Sequence, residues 1–135
     1  MARIRHIAIA TKDPDATAAF YREVFGLRLV RESKGKGYSG YILSDGSINF
    51  AILRFDTDQA AGAEFGTAFA GLHHIGFHVD DLAAAACKIT AHEGRARRDI
   101  DAGIGIPNAD FKYTGPDGVM FDVSQRGWAW DGLDD

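Results

Sequence analysis

The sequence contains a single cysteine and no long apolar run, and both absences restrict what the protein can be. Cys87 has no partner for an internal disulfide, and its alanine-rich surroundings predict a small, buried apolar side chain in a helix. Because a bilayer-spanning helix needs about 18 or more consecutive apolar residues, no membrane span is predicted. Residues 1–14 also lack the apolar core and cleavage site of a secretory signal. We therefore expect a cytoplasmic protein with no membrane partner.

An excess of basic charge is also missing. The 135 residues carry 15 Lys and Arg against 19 Asp and Glu, which gives a formal net charge of -4. Such a chain has no positive field to collect nucleic acid or anionic lipid, so neither is expected as a partner. Hydrophobic residues make up 46% of the chain, which is enough to build a core without disulfides or metals as staples.

What the chain does contain is an internal repeat. Residues 5–26 align without a gap on residues 73–94, at a constant offset of 68 positions that places His6 on His74. Each copy has alternating apolar residues, a turn with Asp, a helical apolar stripe and a Gly, which together predict a strand followed by a helix. An Asp in each copy also stands where it would cap the helix.

The second half of each copy repeats as well. Residues 41–53 align on residues 113–125 at an offset of 72, and each segment has an Asp-Gly turn between two strand-like runs. This alignment pairs Phe50 with Asp122. The repeating unit is therefore a strand, a helix and two or three further strands.

These repeats predict the domain organisation. The two copies span about residues 3–55 and 72–126, and together they form a single domain within residues 1–130. The Ala-, Gly- and Asp-rich residues 56–71 are expected to link the copies, and residues 127–135 are expected to form a C-terminal tail.

Two motifs of the second copy are specific: the sequence HIGFHVDDL opens it and GPDGVMFDVSQ closes it. They make the unit similar to the βαβββ module of the vicinal oxygen chelate superfamily, which includes glyoxalase I, epimerases and extradiol dioxygenases. The resemblance implies an α+β fold in which two βαβββ modules form a mixed-sheet cup that holds a metal ion. It also implies a homodimer, and the sequence leaves open whether the modules pair within one chain or across the dimer.

Strand alternation predicts that three polar side chains converge in this cup. His6 and its repeat equivalent His74 alternate with apolar neighbours that are expected to face the helices, so both imidazoles point into the cup. Asp122 alternates with apolar neighbours in the last strand and joins them. The resemblance implies the same three residues as ligands of one divalent metal ion. Two His and one carboxylate favour Fe(II) or Mn(II), with Zn(II), Ni(II) or Co(II) as alternatives.

Other residues are expected to line the pocket or to assist catalysis. Phe50 cannot act as a ligand and is predicted to line the pocket, whereas its neighbour Asn49 is expected to face away. His73 is likewise expected on the helix side. The remaining candidates are Ala8 and Gly76, which would line the pocket, and His78 and Tyr113, which would act in acid–base catalysis or donate hydrogen bonds to a substrate.

Two classes of function follow from the resemblance. The first is a metal-dependent enzyme that acts on a small oxygenated molecule chelating the ion, with extradiol dioxygenase-like or glyoxalase (lactoylglutathione lyase)-like chemistry. Three ligands favour the dioxygenase, whereas a single pair of modules favours the lyase. The second is a metal-free protein of the bleomycin-resistance type that binds an antibiotic or metabolite in an aromatic-lined cup.

Overall fold

The computed structural model describes residues 1–101 and 111–128, which form one mixed sheet of eight strands flanked by helices. In chain order the elements are β1 (Arg3–Ala10), α1 (Pro14–Phe25), β2 (Arg28–Gly35), β3 (Tyr38–Ser44), β4 (Asn49–Phe55), α2 (Asp58–Ala61), β5 (Gly71–His78), α3 (Leu82–Ala91), β6 (Arg95–Ala96), α4 (Arg98–Asp101), β7 (Phe111–Thr114), a 3-10 turn (Pro116–Gly118) and β8 (Met120–Ser124). None of the helices in this part of the chain is long and apolar enough to cross a membrane.

The strand order is β2-β3-β4-β1-β5-β8-β7-β6, so each copy of the repeat supplies four adjacent strands. Within each half the first and last strands run parallel, as β1 with β4 and β5 with β8. The halves meet where β1 pairs antiparallel with β5 of the same chain. The predicted α+β fold is confirmed, and the two modules pair within one chain.

Both long helices begin where the sequence predicts. The side chain of Asp13 accepts a hydrogen bond from the Ala16 amide and caps α1, and Asp81 caps α3 in the same way. Helix α1 ends at Gly26, whose φ of 69° is the left-handed conformation that glycine adopts at low cost.

The sheet has two faces with different coverings. We call the face that carries Ile9 and is covered by α1 the outer face, and the face that carries His6 the inner face. The outer-face cluster contains Ala18, Leu43 and Ile52, with Ile9, Tyr21, Leu27, Tyr41 and Phe50 packed against it. The inner-face cluster contains Ala8, Ala10, Ile42, Ala51, Leu53, Phe55 and Ala61, with Val30, Tyr38, Ala60, Phe65 and Phe69 packed against it. The segment that joins the modules therefore covers the inner face of the first one.

The strand registers correct one step of the repeat alignment. His6 of β1 lies opposite Asn49 of β4, which places Ala51 opposite Ala8, whereas Asp122 of β8 lies opposite Gly76 of β5. Since Ala8 and Gly76 are repeat equivalents, the counterpart of Asp122 is Ala51, at an offset of 71 rather than 72.

The alignment is shifted by one residue because of the turn before the last strand of each module. Residues 45–48 connect the strands in the first module and residues 115–119 connect them in the second, so matching the Asp-Gly pairs shifts the following strand by one residue. A shift of one residue exchanges the two faces of a strand.

Candidate metal centre

Three adjacent strands bring together, on the inner face, three side chains that could hold a metal ion. His6 comes from β1, His74 from β5 and Asp122 from β8, and all three are buried. Their ligand atoms all lie within 4.8 Å of one another. The Nε2 atoms of the two histidines are 3.1 Å apart, and Asp122 Oδ2 lies 3.1 Å from His74 Nε2 and 3.7 Å from His6 Nε2. The predicted convergence of these side chains is therefore present in the fold.

The spacing of these atoms fits one metal ion. Ligand atoms about 2.1 Å from a metal lie about 3.0 Å apart at right angles and about 3.4 Å apart in a tetrahedron. The observed separations of 3.1 to 3.7 Å lie close to both arrangements. The spacing and the donor set therefore both suit a bound cation.

Lys112 is a charged neighbour of this centre that strand alternation could have revealed. It lies directly opposite Asp122 in the β7–β8 ladder, and its Nζ is 3.0 Å from Asp122 Oδ1. Burial raises the pKa of the Asp122 carboxyl, but the pKa still lies below its usual value, and the positive charge of Lys112 is a cause of this lowering. Asp122 is thus an ionised carboxylate inside the protein.

The His74 imidazole is neutral, as a metal ligand must be. Burial lowers the pKa of His74 to about 3, although the nearby Asp122 carboxylate acts in the opposite direction. A neutral imidazole offers a nitrogen lone pair to a metal, and an imidazolium does not.

Asn49 faces the centre, contrary to the expectation from the sequence. Because Asn49 lies opposite His6 on the inner face, its Oδ1 is 2.6 Å from His6 Nδ1. The amide oxygen accepts a hydrogen bond from Nδ1–H, which leaves the Nε2 lone pair of His6 directed at His74 and Asp122. The sequence interpretation missed this contact because of the one-residue shift described above.

His73 is also on the inner face, where the sequence did not place it. In the β1–β5 ladder Ala8 lies opposite His74 and Ile9 lies opposite Leu72, so His73 is the extra residue of a β-bulge. The bulge breaks the alternation and buries His73 beside His74, with 2.7 Å between their Nδ1 atoms. A bulge of this kind has no signal in the amino-acid sequence.

The predicted pocket residues have different environments. Gly76 borders the centre, and a Cβ atom there would lie 2.7 Å from His6 Cβ and 2.7 Å from the Trp128 ring. Ala8 shares the inner face but is fully buried in the inner-face cluster. The structure corrects the predicted position of Phe50. This residue is on the outer face, where its ring packs 5.1 Å from that of Tyr21 in α1, and it does not border the candidate metal centre.

The two candidate catalytic residues also lie apart from the three ligand atoms. Tyr113 lies opposite Phe121 and stacks on it at 5.9 Å on the outer face, and its predicted hydrogen bond to a substrate stays a prediction. His78 is at the end of β5, where its Nε2 lies 3.1 Å from the backbone oxygen of Gln125. That contact gives His78 a hydrogen-bonding partner, and its catalytic role stays a prediction.

Trp128, in the predicted C-terminal tail, lies beside the centre. It is 4% exposed and stacks on the His6 ring. Of the predicted tail 127–135, Gly127 and Trp128 are described, and residues 129–135 lie outside the described part of the chain.

Comparison with known proteins identifies similar chains. The family model described as glyoxalase/bleomycin resistance protein/dioxygenase superfamily matches residues 3–123. A probable lactoylglutathione lyase of Vibrio parahaemolyticus is 31% identical over 137 residues, which cover 98% of this chain and 96% of that protein. A probable chloroplastic lactoylglutathione lyase of Arabidopsis thaliana is 27% identical over 93% of this chain, which spans 36% of that longer protein.

Solved structures of the same fold include a methylmalonyl-CoA epimerase in complex with methylmalonyl-CoA. It superposes with a TM-score of 0.70 at 26% identity and covers 91% of this chain and 93% of its own. A methylmalonyl-CoA epimerase of Streptomyces coelicolor superposes with a TM-score of 0.68 at 25% identity, over 90% of this chain and 94% of its own.

Proposed function

Because the chain belongs to the glyoxalase/bleomycin resistance protein/dioxygenase superfamily, we propose that it is an enzyme that depends on a divalent metal ion. Its substrate would be a small molecule whose two adjacent oxygen atoms chelate the ion. The observation that carries the proposal is the meeting of His6, His74 and Asp122 at metal-ligand spacing in a buried site. Three convergent acceptor atoms repel one another unless a cation lies between them.

The residues around this centre have separate roles in the proposal. His6, His74 and Asp122 would hold the ion, which as a Lewis acid would polarise a substrate carbonyl. Lys112 partly balances the charge of Asp122 and adds a fixed positive charge beside the centre. Trp128 covers His6 and keeps water from one side of it, so electrostatic interactions there are strong.

The reaction class that we favour is a lyase or isomerase reaction in which a proton moves beside a carbonyl. The support comes from the 31% identical Vibrio protein, named a probable lactoylglutathione lyase, and from the fold shared with methylmalonyl-CoA epimerases. The positive charge of Lys112 agrees with this class, because such a reaction develops negative charge on the substrate oxygen.

A second candidate is dioxygenase chemistry, and Ala51 is the observation that favours it. Ala51 occupies the position in the first module that corresponds to Asp122, and alanine cannot bind a metal. The ligand set then has two imidazoles and one carboxylate with open positions, which is the facial arrangement of non-haem Fe(II) oxygenases.

A homodimer and a cytoplasmic location stay predictions from the sequence.

The proposal is tested by measuring the metal content of untagged protein, purified and also reconstituted without oxygen. We expect about one equivalent in the wild type and strong depletion in His6→Ala and His74→Ala. His92→Ala is the matched control, because this histidine is exposed beyond the end of α3. Absence of metal from the wild type under both conditions would instead support a metal-free binding protein.

The identity of the metal then directs the search for a substrate. Nickel, zinc or cobalt would favour assays with the glutathione hemithioacetal of methylglyoxal and with methylmalonyl-CoA. Iron or manganese would favour oxygen-uptake assays with catechols. Turnover in one set and not the other separates the lyase or isomerase from the dioxygenase.

A further inference from the structure

We propose that His73 is a positioning residue that holds His74 in the tautomer able to bind a metal through Nε2. This inference deepens the proposed function and concerns how the metal site is prepared. It starts from a row of contacts along the inner face: His73 Nε2 is 2.7 Å from the Ala61 carbonyl oxygen, and His73 Nδ1 is 2.7 Å from His74 Nδ1. Both histidines are buried, at 4% exposure each.

The positions of the hydrogen atoms in this row of contacts follow from the Ala61 carbonyl group at one end. The carbonyl oxygen of Ala61 can accept a hydrogen bond and cannot donate one, so His73 must carry its proton on Nε2. A neutral His73 then has a lone pair on Nδ1, and the short contact requires His74 to donate through Nδ1–H. The lone pair of His74 is thereby placed on Nε2, the atom that faces His6 and Asp122.

The surroundings of His73 keep its ring neutral and in place. Three phenylalanine rings surround it, with centroid distances of 4.6 Å from Phe55, 4.4 Å from Phe65 and 6.4 Å from Phe69. Such apolar surroundings disfavour an imidazolium. The β-bulge places His73 here, since regular alternation would turn its side chain to the outer face.

The tautomer matters because His74 has an alternative partner. Its Nε2 is 3.1 Å from Asp122 Oδ2, and an Nε2–H group would donate a hydrogen bond to that carboxylate. That hydrogen bond would occupy two of the three proposed ligand atoms. By holding the proton on Nδ1, His73 leaves both atoms available to a metal, as Asn49 does for His6.

The tautomer can be measured directly in the metal-free protein by two-dimensional 1H–15N NMR of the imidazole nitrogens at neutral pH. In the wild type we expect His74 to carry its proton on Nδ1 and to have an unprotonated Nε2. His73→Phe, which fits the ring of phenylalanines, should move the proton to Nε2. His73→Gln should restore the wild-type pattern, because its amide can accept from His74 and donate to Ala61.

Metal affinity is the second readout, measured by Zn(II) or Co(II) titration against a competing chelator. We expect His73→Phe to bind at least about tenfold more weakly than the wild type, with His73→Gln in between and His92→Phe unchanged. The inference is overturned if wild-type His74 carries its proton on Nε2, a result that needs no folded variant. It is also overturned if His73→Phe changes neither tautomer nor affinity. A wild type with the expected tautomer and no metal affinity would uphold the positioning by His73 and refute the proposed function.

Discussion

The indole of Trp128 lies flat on the imidazole of His6, with ring centroids 4.8 Å apart and ring planes 1° from parallel. Gly76 makes this stack possible, because a side chain there would collide with both rings. The stack joins the end of the described chain to a strand of the first module. A metal ion bound at His6 would therefore change the environment of Trp128.

Trp128 should report metal binding by its fluorescence. A paramagnetic ion such as Co(II), bound at His6, would lie close to the stacked indole and quench its emission. We expect saturable quenching in the wild type and little in Trp128→Phe, with metal content measured in parallel to show that the variant still binds the ion. Equal quenching in both proteins would contradict this placement of Trp128 beside the metal.

Lys112 should contribute more to the stability of the metal-free protein than to the stability of the metal-loaded protein. Its Nζ is 3.0 Å from Asp122 Oδ1, and removing one partner of a buried ion pair costs about 3 kcal/mol because the other charge stays buried. A bound metal would neutralise Asp122 in its place. We therefore expect Lys112→Met to lower the free energy of unfolding in EDTA by about 3 kcal/mol and to recover most of that loss with metal.

The measurement for Lys112 is urea unfolding with and without metal. Lys112→Arg, which keeps the charge, is the matched control and should resemble the wild type in EDTA. A loss of stability of the same size in both conditions would show that the metal does not take over the role of Lys112.

An ion pair outside the metal centre predicts a pH dependence of stability. The guanidinium of Arg97 contacts both carboxylate oxygens of Glu64 at 2.7 Å, and this hydrogen bonding lowers the pKa of Glu64 below its usual value of 4.5. A lowered pKa in the folded state adds stability above the unfolded pKa, and that stability is lost as the pH falls through the folded pKa.

Glu64→Gln should therefore be less stable than the wild type near neutral pH, and the difference should vanish in acid. Because the Glu64 side chain is 43% exposed, we expect a difference of less than about 1 kcal/mol near pH 7. Chemical unfolding at several pH values measures it, with Glu23→Gln on the exposed side of α1 as the control. A difference that persists at the lowest pH would point to packing rather than charge.

The parts of the site that could be predicted from the sequence are those in which the repeat is regular. The segments that begin at His6 and His74 align without a gap, so their equivalence and their shared face could be read directly. Asp122 was placed by alternation within one strand and needed no alignment.

The other features of the site depend on the length of a turn and on a β-bulge, which strand alternation does not capture. The two turns differ in length by one residue, which moved Phe50 into the place that belongs to Ala51 and hid the inward position of Asn49. The bulge at His73 depends on how β1 and β5 pair, and that pairing joins residues far apart in the chain. Neighbours of the candidate ligands were therefore missed, although the convergence of His6, His74 and Asp122 was predicted.

The register of β4 can be tested by comparing substitutions at two adjacent residues. Asn49 is 1% exposed and accepts a hydrogen bond from His6, so Asn49→Leu should weaken metal binding by about tenfold or more. Phe50 packs against Tyr21 on the outer face, so Phe50→Leu should lower the free energy of unfolding by about 1 kcal/mol and leave metal affinity unchanged. Metal titration and urea unfolding of both variants separate the two effects. The opposite result, with metal affinity lost in Phe50→Leu and kept in Asn49→Leu, would mean that β4 is shifted by one residue and that the original repeat alignment was right.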